Sequence, residues 1–187
     1  MRIVGGRKRG LHLVGPKSRA IRPTSDRLRE SLFNILAHGF GDPVEGARVL
    51  DLFSGTGALG LEALSRGARF CLFVEEAAEA RALIHANVEA SDAGGVTKLW
   101  RRDATKLGRC APMEPFDLAF LDPPYGKGLA DAALVALIDG GWLKNEAIVV
   151  VEESASVEVA LPTGLEVVDR REQGETRLIF LRYVISD

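Results

Sequence analysis

Apolar and polar positions along this chain follow two alternating periods, which predict strands separated by helices. Five near-continuous apolar runs have the length of strands that are buried on both faces, and they span 47–53, 69–75, 96–104, 116–122 and 147–152. The stretches between them predict helices over 58–66, up to about residue 90, and over 130–139. Apolar strands that alternate with helices favour a parallel sheet covered on both faces, so we predict an α/β fold with a doubly wound sheet.

The two ends of the chain depart from this alternation. Two short apolar segments flank Gly5-Gly-Arg-Lys-Arg-Gly10, which predicts a β-hairpin with a basic tip. Thr24 or Ser25 can cap a helix that runs to about residue 37. The segments 165–171 and 176–184 alternate around Gly174 and predict an antiparallel hairpin at the edge of the sheet. We therefore expect a basic hairpin and helix extension over 1–40 and the α/β domain over 41–187.

Composition narrows the class of protein. With 187 residues and 47% hydrophobic content, the chain is long enough to bury a full core. No apolar run reaches the roughly 18 residues of a membrane span, and we expect no signal peptide. The thiols of Cys71 and Cys110 are separated and lack metal-ligand spacing. We expect a cytoplasmic protein without a metal site, a disulfide or a membrane segment.

The net charge of −2 conceals a strong asymmetry. The first 30 residues hold nine basic and two acidic side chains, whereas the other 157 hold 15 basic and 24 acidic ones. A basic arm on an acidic body is typical of nucleic-acid contact that is confined to one end of the chain.

A glycine-rich loop, Asp51-Leu-Phe-Ser-Gly-Thr-Gly-Ala-Leu-Gly60, follows the first strand. Its glycines fit the dinucleotide fingerprint, with Glu75 near the expected acidic position. The Asp51 carboxylate would repel a pyrophosphate, however, and would attract a cationic ligand. Gly55 and Gly57 allow the backbone to approach that ligand closely.

The tetrapeptide Asp122-Pro-Pro-Tyr125 ends the fourth strand. Each proline fixes φ and removes a donor, which predicts a stiff turn that presents a carboxylate, bare carbonyls and an aromatic ring. This arrangement suits a planar base with an amino group. Asp122 and a proline carbonyl would accept the amine hydrogens, and Tyr125 would stack on the ring.

Together these motifs resemble the class I S-adenosylmethionine (SAM) methyltransferases, which have a Rossmann-like fold. The segment Arg22-Pro-Thr-Ser-Asp-Arg-Leu-Arg-Glu-Ser-Leu-Phe-Asn34 further resembles the RsmD-type 16S rRNA guanine-N2 methyltransferases, and the similarity covers nearly the whole chain. The resemblance implies methyl transfer from SAM to one guanine of 16S rRNA, within the small ribosomal subunit or an assembly intermediate. It also suggests a monomer.

The resemblance and the motif positions assign site residues in three groups. Asp122, Pro123, Pro124 and Tyr125 form the catalytic set. The cofactor set is Asp51, Phe53, Ser54, Gly55, Gly57, Glu75, Asp103 and Ala104, with Glu75 expected at the ribose hydroxyls and Asp103 at the adenine amine. The RNA set is Arg7, Lys8, Arg9, Arg22, Thr24 and Arg27. We expect Glu152 and Glu153 simply to face solvent.

Other functions remain open at this stage. A DNA adenine-N6 methyltransferase uses the same tetrapeptide, although the chain has no segment long enough for a target-recognition domain. A methyltransferase acting on protein glutamine typically has Asn in place of Asp122. An RNA-binding assembly factor that holds SAM without turnover would not need an intact Asp122 to Tyr125. A NAD-dependent dehydrogenase would need a catalytic pair that the chain lacks.

Overall fold

The structure is a computed structural model that describes residues 1–17 and 24–185. Its strands are β1 Arg48–Leu52, β2 Phe70–Val74, β3 Thr97–Trp100, β4 Phe116–Leu121, β5 Leu143–Ser154, β6 Leu165–Gln173 and β7 Thr176–Tyr183. Its helices are α1 Asp26–Gly39, α2 Ala58–Ser65, α3 Ala78–Ala90 and α4 Leu129–Asp139, with a 3₁₀ turn over Gly94–Val96.

All seven strands form one sheet in the order β3-β2-β1-β4-β5-β7-β6. Strands β1 to β5 pair in parallel, and β7 pairs antiparallel with both β5 and β6. Helices α1, α2 and α3 supply side chains to the core on one face of the sheet, and α4 supplies them to the other. The predicted fold class, a mostly parallel doubly wound sheet with an antiparallel C-terminal hairpin, is confirmed.

Two strands differ in length from the sequence prediction, and the difference follows the number of strands that pair with each. β3 ends at Trp100 rather than near Ala104, because it is a half-buried edge strand with β2 on one side only. β5 begins at Leu143 and extends to Ser154, because β4 and β7 flank it on both sides. The N-terminal hairpin is present, but its two segments pair over a shorter length than expected, because a single antiparallel bridge joins Arg2 and His12.

The helix that follows the glycine-rich loop packs very closely on the sheet. A Cβ at Gly60 would lie 2.5 Å from both Cys71 Sγ and Phe73 Cε1, so only glycine allows α2 to approach β2 this closely. The close approach holds the N-terminus of α2 against the carboxyl end of the sheet.

The surface of the N-terminal region carries less positive charge than the sequence suggests, because Arg29 is buried. Its side chain is fully buried, with Nη2 2.9 Å from Asp26 Oδ1 and Nε 3.4 Å from Glu62 Oε2. Glu62 is also fully buried, and it accepts hydrogen bonds from the Val4 backbone and from Arg66. The ion pair therefore joins α1, α2 and residues 1–14, which we call the N-terminal arm. Arg29 adds no charge to the surface.

This buried pair yields a stability prediction. Glu62→Gln leaves the Arg29 charge without its buried counter-ion, so we expect the free energy of unfolding to fall by about 3 kcal/mol. Urea denaturation measures the change, and Glu89→Gln on the exposed face of α3 serves as the control, with a change below about 0.5 kcal/mol. Equal stability of the two variants would show that the ion pair does not hold the arm to the helices.

Candidate active site

The carboxyl ends of the parallel strands meet around one cavity of about 660 Å³. All the predicted catalytic residues line it, together with Thr24. The predicted cofactor residues that line it are Asp51, Phe53, Ser54, Gly55, Glu75, Asp103 and Ala104. Four separate parts of the chain converge here because parallel strands end at the same edge of the sheet, and Thr24, which precedes α1, is the fifth part.

The loop from Phe53 to Gly57 turns unusually sharply. Phe53, Gly55 and Gly57 have φ values of 55°, 57° and 79°, so three of five consecutive residues adopt left-handed backbone conformations. A non-glycine residue in this region costs on the order of 1 kcal/mol and is characteristic of functional loops. The Ser54 hydroxyl holds the loop in place, because it donates to the Asp51 carbonyl at 2.5 Å and accepts from Val74 N at 3.1 Å.

Glycine is required at position 57 for a reason other than the expected close approach to a ligand. A Cβ there would lie 3.3 Å from Phe73 and 3.4 Å from Ile84, inside the protein. Gly57 is also the N-cap of α2, where its φ of 79° favours glycine. The loop requires this glycine for its own conformation.

The Asp51 carboxylate lies beneath the loop and is buried. Burial raises the pKa of this carboxyl well above its usual range, and the nearby Glu75 charge raises it further, while a hydrogen bond from Gly60 N (3.0 Å) opposes both effects. A positive ligand group beside Asp51 would favour the ionised form and relieve this cost.

Glu75 and Asp103 reach the cavity from beyond the ends of β2 and β3, which both lie on the same side of β1. Glu75 accepts from Gly55 N and Ala77 N, both at 2.9 Å. Asp103 Oδ1 accepts from the Thr105 hydroxyl at 2.7 Å and from Thr105 N at 2.9 Å, and these bonds lower the pKa of the Asp103 carboxyl. Each carboxylate has four lone-pair sites, so both retain capacity to accept from a ligand.

This cavity fits SAM in size and in chemistry. Its volume lies within the usual range for small-molecule sites. Asp51 matches a cationic group, and Glu75 and Asp103 supply acceptors at two further positions along the wall. The arrangement therefore suits a ligand that carries positive charge, hydroxyl groups and an amine.

The tetrapeptide forms the other end of the cavity. The Thr24 hydroxyl lies 3.0 Å from Asp122 Oδ2 and 3.5 Å from Glu152 Oε2. The Tyr125 hydroxyl donates to Glu152 Oε1 at 2.5 Å and lies 3.1 Å from the Thr176 hydroxyl. Burial and the Glu152 carboxylate raise the pKa of Tyr125, so its phenol stays protonated at neutral pH.

The expectation that Glu152 and Glu153 face solvent is wrong. Their exposed fractions are 5% and 1%. Glu152 contacts Tyr125 and Thr24 as described above, whereas Glu153 accepts from Gly126 N at 3.1 Å. The continuous apolar run of β5 is a signal that would have predicted burial at its end.

Of the predicted RNA-contact residues that the structure describes, only Thr24 lines the cavity, and the others lie at two other places. Arg7, Lys8 and Arg9 are exposed at the hairpin tip, which rests on the C-terminal end of α2 through hydrogen bonds from Arg7 N and Lys8 N to Ser65. Because α2 begins at the cavity, the tip is about 12 Å away along the helix. Arg27 is exposed on α1, and Arg22 lies outside the described residues.

Two other classes of site are not found in residues 1–17 and 24–185. No cluster of three or more His, Cys, Asp and Glu side chains is arranged to hold a metal ion. No helix in this part of the chain is both long enough and apolar enough to cross a membrane.

The raised pKa of Asp51 predicts how stability depends on pH. A carboxyl whose pKa is higher in the folded state favours folding below the ordinary Asp value of about 4, and this contribution is lost as the pH rises through the folded-state value. Asp51→Asn keeps an acceptor for Gly60 N and removes the charge. Without ligand, we expect this variant to be more stable than the wild type at pH 8, with the difference vanishing near pH 4. We also expect it to bind SAM at least about tenfold more weakly, because it lacks the counter-charge.

Urea denaturation from pH 4 to pH 8 and SAM-induced shifts of the thermal midpoint measure these effects. Asp103→Asn is a matched control with the opposite sign, because the lowered pKa of Asp103 stabilises the fold above the ordinary Asp value and this is lost as the pH falls. Parallel curves of stability against pH for the wild type and Asp51→Asn would contradict the raised pKa of Asp51 in the folded protein.

Comparison with known proteins agrees with this geometry. The family model described as conserved hypothetical protein 95 matches residues 1–182. The chain is 41% identical over 164 residues to ribosomal RNA small subunit methyltransferase D of Escherichia coli K12, which covers 87% of this chain and 78% of that protein. It is 35% identical to the protein of the same name from Haemophilus influenzae, over 81% of this chain and 78% of that one.

Solved structures give the same result. The Escherichia coli protein yhhF superimposes with a TM-score of 0.84 at 30% identity, covering 100% of this chain and 99% of that chain. The shared fold extends over the arm as well as the sheet. The chain therefore belongs to the conserved hypothetical protein 95 family, together with the ribosomal RNA small subunit methyltransferases D, and it is a SAM-dependent methyltransferase.

Proposed function

We propose that this enzyme methylates the exocyclic N2 amine of one guanine in 16S rRNA, within the small ribosomal subunit or an assembly intermediate. The observation that carries the proposal is that Asp122, Thr24 and Tyr125 line the same cavity as the cofactor loop, which follows the strand next to β4. The names of the Escherichia coli and Haemophilus influenzae relatives, which refer to ribosomal RNA of the small subunit, support RNA over DNA as the substrate.

The cofactor residues have separate roles in this proposal. Asp51 faces the ammonium group of SAM, Glu75 accepts from the ribose hydroxyls and Asp103 accepts from the adenine amine. Phe53, Ser54, Gly55 and Ala104 form the wall between these acids. Gly57 maintains the turn at the start of α2.

When bound, SAM supplies a methyl group attached to a positively charged sulfur. The guanine amine is a poor nucleophile, because its lone pair is delocalised into the ring. Asp122 and the Pro123 carbonyl accept the two amine hydrogens, which favours a pyramidal nitrogen and aims its lone pair at the methyl group. As the nitrogen–carbon bond formed, the carbon–sulfur bond would break, its electron pair would stay on sulfur and S-adenosylhomocysteine would leave. The nitrogen would become acidic in the same step, and Asp122 or water would take its proton.

Tyr125 supplies the surface on which the base lies. A base that has left its stack gains about 1–3 kcal/mol by stacking on an aromatic ring. The neutral phenol is hydrogen-bonded at its far end, so the ring face remains available to the base. Pro124 keeps the backbone between Asp122 and Tyr125 extended.

The N-terminal extension, residues 1–40, is the RNA-facing part in this proposal. Arg7, Lys8 and Arg9 contact phosphates about one α2 length from the cavity, whereas Thr24 lines the cavity itself and Arg27 lies three residues further along, in the first turn of α1. The guanine is flipped out of its stack to reach Asp122. A monomer in the cytoplasm is consistent with this substrate, which is itself a large particle.

The first test is product analysis with a catalytic variant. With methyl-labelled SAM and small subunits that lack the modification, we expect the wild type to produce N2-methylguanosine in 16S rRNA. Asp122→Ala should lower kcat by about 10²–10³, because the lost contacts strengthen in the transition state, and SAM affinity should stay within about threefold. Label in adenine, or near-normal turnover by Asp122→Ala, would contradict the proposal.

The second test concerns how RNA is held. Replacing Arg7, Lys8 and Arg9 together by Gln should weaken binding to small subunits and reduce the slope of log affinity against log salt by up to about 2, because fewer counter-ions are released. SAM binding should not change. The control triple is Lys98, Lys106 and Arg109 to Gln, which are exposed on a different part of the surface. An unchanged slope for the arm variant would place the RNA contact elsewhere.

A further inference from the structure

Asp122 and Glu152 occupy corresponding positions beside each other, one just after β4 and the other near the end of β5. β4 and β5 are parallel and adjacent, and their register runs to Leu121 opposite Val151. Asp122 and Glu152 are the next residues on the two strands, so their side chains start side by side on the same face of the sheet. Only Asp122 has a role in the proposed methyl transfer.

The Glu152 carboxylate is buried and in contact with two groups that line the cavity. Its Oε1 accepts from the Tyr125 hydroxyl at 2.5 Å, and its Oε2 lies 3.5 Å from the Thr24 hydroxyl. That same hydroxyl lies 3.0 Å from Asp122 Oδ2. Glu152 itself does not line the cavity. It lies behind the side chains that face the base.

We propose that Glu152 is a positioning residue for base methylation: it fixes the Tyr125 ring and, through Thr24, the Asp122 carboxylate. The inference rests on the proposed function, since it assigns a role within the same site. Glu152 acts through Tyr125 and Thr24 and does not touch the reacting atoms.

The strength of the tyrosine contact supports this role. The phenolic oxygen of Tyr125 lies on the axis of the second rotatable bond of the side chain, so an anchored hydroxyl fixes where the ring lies. Because a phenolic O–H prefers the plane of the ring, the same hydrogen bond also favours one orientation of the ring about that axis. A hydrogen bond from a neutral hydroxyl to a carboxylate is shorter and about twice as strong as one between neutral groups. The second partner of the phenol, the Thr176 hydroxyl at 3.1 Å, is a neutral group. Glu152 is therefore a stronger anchor for the ring than Thr176.

Glu153 provides a matched comparison on the same strand. It is equally buried, but its carboxylate accepts from the backbone at Gly126 N and Ser154 N. Successive residues of a strand point to opposite faces, so Glu153 lies away from Thr24. A variant at Glu153 thus reports the loss of a buried charge at this strand end without loss of the tyrosine anchor.

The test is a double-mutant cycle between Tyr125→Phe and Glu152→Ala, measured as kcat and KM for small subunits together with SAM affinity. We expect each single variant to lower kcat/KM for RNA at least about fivefold while SAM affinity stays within about twofold. The double variant should lie within about threefold of Glu152→Ala, because both changes remove the same contact. Glu152→Gln keeps an acceptor and should recover most of the activity.

Several outcomes would overturn the inference. Independent effects that multiply in the double variant would show that Glu152 does not act through Tyr125, and so would normal activity of Glu152→Ala. Equal losses of activity in Glu152→Ala and Glu153→Ala, each in proportion to the loss of folded protein, would indicate a structural role only. If Glu152→Ala does not fold, the same cycle with Glu152→Met decides, because methionine fills a similar volume but also removes the acceptor, and a positioning role predicts the same coupling to Tyr125→Phe.

Failure of the proposed function gives a different result. In that case the wild type transfers no methyl group to 16S rRNA. If instead the wild type is active and the cycle shows no coupling, the proposed function stands and the role of Glu152 fails.

Discussion

The site depends on one constraint: acids crowd the edge where the parallel strands end. Asp51, Glu75 and Asp122 all line a single cavity, and Glu152 lies directly behind it. Two like charges 4 Å apart repel by about 4 kcal/mol at an effective dielectric constant of 20. Backbone N–H groups of Gly55, Gly60 and Ala77, together with the hydroxyls of Thr24 and Tyr125, offset part of this repulsion. A cationic cofactor offsets more, which explains why an acidic cavity suits SAM.

The same contacts that shape the cavity also hold the arm to it. Asn87 on α3 is fully buried, and its amide donates to the Thr56 carbonyl at 2.9 Å and to the Val14 carbonyl at 3.0 Å. Its carbonyl oxygen accepts from Val14 N at 2.7 Å. Thr56 belongs to the cofactor loop and Val14 to the arm, so one side chain joins the two. The Arg29–Glu62 pair adds a second connection through α1 and α2. The part that faces RNA in our proposal is thus built onto the cofactor site.

Much of this arrangement was predictable from sequence, and the exceptions share a cause. Near-continuous apolar runs predicted the buried strands, and the acids that follow them predicted where the site residues converge. Charge counting failed for Arg29, because it treats every arginine as exposed. Arg29 lies one and two turns before Phe33 and Leu36 on the buried stripe of α1, which was a usable signal. The apolar run of β5 could have predicted that Glu152 is buried, but not that it contacts Thr24 and Tyr125, because strand periodicity does not report what covers a strand. The left-handed conformation of Phe53 has no sequence signature, since it follows from the packing of the loop.

In the proposed function the cofactor and the base occupy adjoining parts of one cavity. The most direct measurement is a crystal structure of the protein with S-adenosylhomocysteine. It should show the amino group beside Asp51, the ribose at Glu75, the adenine near Asp103 and the sulfur directed toward Asp122. A ligand bound outside this cavity, or one whose sulfur faces away from Asp122 and Tyr125, would contradict the central claim.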